Sequence, residues 1–81
     1  MLKKQIENII LEILKEVAQK DISEKDFKEK GYFPFLDSFS FIHFVSLLEE
    51  KLNITFTPEE LAAKNFKTNE GLYKTLEEKL K

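Results

Sequence analysis

Apolar side chains at Ile6, Ile9, Ile10, Ile13, Leu14 and Val17 recur at intervals of three and four, with Lys4, Glu7, Glu12, Lys15 and Glu16 between them. That is the period of an amphipathic helix over residues 2–17, apolar on one face and charged on the other. A helix with one apolar stripe must bury it against another element, so the rest of the chain has to supply the partner surface. Over residues 38–52 it does so in excess: Phe39, Phe41, Ile42, Phe44, Val45, Leu47, Leu48 and Leu52 cover more than one stripe. The 81 residues make one small domain, residues 1–81, which buries only about 60% of the surface its unfolded chain exposes. A helix in so small a domain is not buried all round. One arc of this second helix is therefore expected in the core, and the remainder, Phe39 first, against a partner or ligand, because burying each large side chain is worth roughly 1.5–3 kcal/mol.

Capping signals place the other elements. Thr57-Pro58-Glu59-Glu60 is a capping box with proline at the first helical position. It predicts a short third helix carried by Leu61, Ala62 and Ala63 to residue 64 or 65, with Phe66 closing it onto the core. Thr68 is the expected N-cap of a last helix in which Leu72, Tyr73, Leu76 and Leu80 keep helical spacing. Residues 19–36 carry Asp21, Ser23, Asp26, Gly31 and Pro34 and read as a charged loop with at most a short turn near 23–27, tethered by Phe27, Phe33, Phe35 and Leu36. The predicted fold is all-α: a four-helix bundle of three longer helices and one short third helix, with a long loop between the first two.

Composition removes several function classes. Thirteen basic residues face fifteen acidic ones, and the lysines alternate with glutamates, as in Glu12/Lys15 and Glu16/Lys20, so no basic stripe exists for nucleic acid. Without cysteine there is neither a disulfide nor a thiolate, and any thiol chemistry must be imported. One histidine and scattered carboxylates supply no metal-ligand spacing, and two glycines make no phosphate-cradling loop. Glu7 and Asn8 break the N-terminal apolar run far short of a signal core or membrane span, so a cytoplasmic protein without membrane insertion is expected.

The chemistry-bearing stretch is Phe35-Leu36-Asp37-Ser38-Phe39-Ser40-Phe41-Ile42, where the second helix begins. Asp37 is a strong N-cap type, able to accept the N–H of Phe39 or Ser40 and to complement the helix dipole. Ser38 then sits on the first turn, facing outward. A Ser38–His43–Asp37 hydrolase triad fails on geometry, because five helical residues separate the serine and histidine by ~7.5 Å along the axis and ~140° around it. His43 reads instead as a helix-surface or boundary residue. Taken alone, Asp37-Ser38 is a helix cap.

The order of elements changes that reading. An amphipathic helix, a long connector, Leu36-Asp37-Ser38-Phe39 opening a second helix, then Leu47-Leu48-Glu49-Glu50-Lys51-Leu52-Asn53-Ile54 and two further capped helices resemble the acyl carrier protein family, including its peptidyl and D-alanyl carrier relatives. The resemblance implies that Ser38 takes a 4'-phosphopantetheine group from coenzyme A, and that Asp37 helps seat magnesium in the modifying enzyme's complex. It implies a monomeric, non-enzymatic carrier of thioester-linked acyl or aminoacyl cargo. Its implied partners are a phosphopantetheinyl transferase, a loading ligase and acceptor enzymes. Docking falls on Phe39, His43, Glu49 and Glu50. Leu36 and Phe39 stand where many acyl carriers have glycine and leucine, which is closer to D-alanyl and specialised carriers. Most of the eight phenylalanines are expected to crowd the interior around the second helix and so favour short, polar or amino-acyl cargo. The rival reading is a helical protein-interaction module with no prosthetic group.

Overall fold

The structure, a computed structural model, describes residues 3–80 apart from the side chain of Asn65. Five α-helices follow one another: α1 (Lys3–Ala18), α2 (Glu24–Lys30), α3 (Ser38–Leu52), α4 (Pro58–Ala62) and α5 (Asn69–Lys79). Short 3-10 turns at Phe33–Phe35 and Lys64–Lys67 precede α3 and α5. The expected all-α architecture, with three longer helices and a short one after α3, is present.

Helix α1 buries Ile6, Ile10, Ile13 and Leu14 and packs its stripe against both α3 and α5. Leu2, where the sequence pattern begins, lies outside the described residues. Helix α3 contributes Phe44, Val45, Leu48 and Leu52 to the same core, and α5 adds Leu72, Tyr73 and Leu76. The bounds of α3 are those the sequence predicts. Asp37 caps its start, its carboxylate accepting the Ser40 N–H at 2.8 Å, and Asn53 caps its end as a left-handed residue at φ 54°. Asparagine tolerates that conformation better than most residues.

The connector departs from expectation. It is not a long loop with one turn, because α2 takes two turns of it and Phe33–Phe35 takes another. The local signals are capping signals. The Ser23 side chain accepts the Asp26 N–H at 3.1 Å, Glu24 and Asp26 stand at the positive end of the dipole, and Lys28 and Lys30 stand at the negative end. Gly31, at φ 78°, closes the helix through its N–H to the Phe27 carbonyl at 2.9 Å. Only Phe27 is buried, so a seven-residue helix shows no apolar period. Helix α4 carries the predicted capping box, with both reciprocal hydrogen bonds between Thr57 and Glu60. It ends at Ala62 rather than at residue 64 or 65, since Lys64–Lys67 tightens into a 3-10 turn that drives Phe66 into the core.

Candidate functional site

An aromatic cluster underlies the entrance to α3. Tyr32 stacks on Phe44 with centroids 5.0 Å apart. Phe33 meets Phe41 edge-on at 5.6 Å, Phe41 meets Phe66 at 6.1 Å, and Phe66 meets Phe56 at 5.3 Å. Such edge-to-face contacts add about 0.5–1.5 kcal/mol each beyond area burial, so the ground beneath Asp37 and Ser38 is stiff. Tyr32 is fully buried and donates its hydroxyl to the Phe66 carbonyl. Desolvation raises its pKa far above the ordinary phenol value. Asn69, first residue of α5, accepts the Tyr32 N–H at 3.0 Å and donates to the Phe27 carbonyl at 3.1 Å. One side chain thus ties α5 to the end of α2 and fixes the stretch leading to Ser38.

On that base, Ser38 is the first residue of α3 and is exposed. Asp37 is exposed beside it, and the Ser40 backbone N–H, followed by the Ser40 hydroxyl, holds its carboxyl below the usual range. The pair therefore presents an unburied hydroxyl next to a carboxylate that stays anionic. Both border a cleft of about 590 Å³ walled by Phe33, Leu36, Phe41, Ile42 and Leu61. Lys67 reaches the same cleft, its amine 5.3 Å from the Phe33 ring centroid. A long arm attached at Ser38 would meet no obstruction at its origin and an apolar surface beside it.

The expected docking residues separate into two groups. Phe39 is 87% exposed and Ile42 65% exposed, the large apolar side chains α3 turns outward, with His43 also exposed further along. Glu50 is exposed near the other end of the helix. Glu49 is engaged within the chain: half-buried, it accepts the Phe56 N–H at 2.8 Å and pins the segment after α3. Lys79 does similar work from α5, pairing with Glu60 at 2.8 Å and donating to the Thr55 carbonyl.

Sequence reasoning missed Tyr32, Asn69, Ile22 and Lys67. Ile22 is an isolated apolar residue in a polar stretch, and Tyr32 stands in the run Tyr32-Phe33-Pro34-Phe35-Leu36, which has no period to tell its buried member from the rest. Asn69 read only as the residue after a cap. Lys67 matters through the fold of the 3-10 turn, which pattern alone does not reveal.

Among the described residues, no group of histidine, aspartate and glutamate gathers with metal-ligand geometry, and no helix is long and apolar enough to cross a membrane. No curated protein and no solved structure matches the chain significantly. The family model described as a phosphopantetheine attachment site matches residues 4–76, which takes in α1 through most of α5.

Proposed function

We propose that this chain, which belongs to the phosphopantetheine attachment-site family, receives its prosthetic group on Ser38 and delivers short acyl or aminoacyl cargo to partner enzymes. Carrier proteins of this family hold a covalently attached 4'-phosphopantetheine, and their domains are generally non-catalytic. When bound, the group supplies the thiol that a cysteine-free chain lacks. The observation that carries the assignment to Ser38 is its exposure on the first turn of α3, beside an anionic Asp37 and at the mouth of an open cleft.

Loading is a phosphoryl transfer in which Ser38 is the nucleophile. Its Oγ attacks the phosphorus of coenzyme A nearer the pantetheine, a P–O bond to the serine forms, and the bond to adenosine 3',5'-bisphosphate breaks. The serine proton passes to a base. Among the described residues no base activates Ser38, so base and metal come from the transferase. Asp37 contributes a carboxylate that can face that enzyme's magnesium while it caps α3.

Phe39, with Ile42 and His43, forms the apolar part of the docking face, and Glu50 adds a rim charge that governs orientation and salt dependence more than affinity. Glu49 belongs to this surface less than its sequence position suggests, because Phe56 holds its carboxylate. A short, polar or amino-acyl cargo fits an interior already filled by Phe27, Phe44, Phe56 and Phe66.

The decisive experiment is incubation with coenzyme A, magnesium and a broad-specificity phosphopantetheinyl transferase, followed by intact mass. A single phosphopantetheine adduct is expected, and Ser38→Ala should abolish it while retaining a wild-type circular dichroism spectrum. An unmodified wild-type chain would overturn the assignment and favour a helical interaction module built on the exposed face of α3.

A further inference from the structure

The cleft beside Ser38 is apolar on every wall except for two charged side chains. Asp37 is adjacent to the attachment oxygen in the chain and is engaged by the Ser40 N–H. Lys67 is different. Among the described residues no carboxylate pairs with it, and its amine rests against the face of Phe33. Lys79 also lies over an aromatic ring, but Glu60 already neutralises it. The Lys67 ammonium is thus a cation backed by an aromatic surface, over a cleft of about 590 Å³, which lies within the range of roughly 300–1,000 Å³ typical of small-molecule sites. It also borders the neighbouring groove, where Lys28 and Lys30 are offset by Glu29 and Glu70, so the case for Lys67 rests on its place in the cleft beside Ser38.

From this we infer that Lys67, at the cleft beside the Ser38-linked arm, selects a short acyl group ending in a carboxylate. The inference rests on the carrier reading above and names the cargo class. An apolar acyl body would lie against Phe33, Phe41, Ile42 and Leu61, and its terminal anion would meet the amine. A terminal ammonium would meet like charge at Lys67, and a plain alkyl end would leave that cation uncompensated. Lys67 is exposed, so the pair is a weak, salt-screened one and is read as a difference between cargoes at low salt.

The test uses the intact chain, loaded at Ser38 by a transferase from amide-linked coenzyme A analogues bearing valeryl, glutaryl or δ-aminovaleryl groups. Amide linkage prevents hydrolysis during melting. At low salt the glutaryl form should melt about 2–4 °C above the other two, and in Lys67→Met, which keeps the apolar stem, that gap should close. Equal melting of the three forms overturns the inference, as does a gap that persists in Lys67→Met or a δ-aminovaleryl form that melts highest. Equal destabilisation of all three loaded forms by Lys67→Met would assign Lys67 to the phosphodiester and equally overturn it. Absence of any adduct at Ser38, seen first by mass, strikes the carrier reading itself and the cargo inference with it.

Discussion

Asp37 combines two tasks that substitution can separate. It caps α3 through the Ser40 N–H, and it keeps a negative charge beside Ser38. Asparagine preserves the first and removes the second, since both residue types are strong N-caps. Asp37→Asn should therefore melt close to wild type yet be modified more slowly by the transferase in a single-turnover mass assay. Asp37→Ala should be modified slowly and also melt lower. Equal modification rates for all three proteins would remove Asp37 from the transferase's metal site. Ser38→Ala should shift folding by no more than about 0.5 kcal/mol, as exposed substitutions do. Tyr32→Phe should cost about 1–3 kcal/mol in urea denaturation, because it leaves the buried Phe66 carbonyl without its donor.

At the scale of the elements, α2 and the turn after it are anchored by the buried Phe27 and Tyr32 and tied to α5 by two hydrogen bonds of Asn69. Asn69→Ala should accelerate amide exchange across residues 24–36 while α1 and the interior of α3 stay protected, a pattern readable by hydrogen–deuterium exchange. The same region shows what the sequence made legible. Helices α1 and α3 were readable because repeated apolar residues at helical spacing must share a face, and α4 and α5 because Thr57, Pro58, Glu60 and Thr68 carry cap chemistry in their own identities. Helix α2 was not readable as a helix, since a single buried residue, Phe27, has no period and its caps, Ser23 and Gly31, also suit a turn. Asp37 and Ser38 were legible for a related reason: cap and nucleophile are adjacent in the chain. The cleft was not, because Phe33, Ile42, Leu61 and Lys67 come from four separate segments.

For the molecule as a whole, ionisation bounds the range of stability from both sides. Asp37 and Glu60 have lowered pKa values, through the Ser40 N–H and the Lys79 hydrogen bond respectively. Their contribution is present above the unfolded values of about 4 and is lost as pH falls through the folded ones. Burial pushes the Tyr73 phenol up to about 12 and Tyr32 further still. Their contribution is complete below the unfolded value of about 10 and declines as pH rises above it, the unfolded chain losing those protons first. Urea midpoints measured across pH should form a plateau with both shoulders, and Tyr73→Phe should soften the alkaline one. Ile13→Ala, which hollows the core where α1 packs, should cost about 2–5 kcal/mol at any pH on the plateau.

Phe39 and Ile42 stand in water when the molecule is alone. Covering both returns about 3–6 kcal/mol at most, against an association cost of at least about 4 kcal/mol. On the docking proposed above, complexes formed through this face would be short-lived, with a dwell time set by departure rather than arrival. A shuttle that visits several stations in turn needs that brevity, and tightening its grip on any one of them would stall the traffic through all the others.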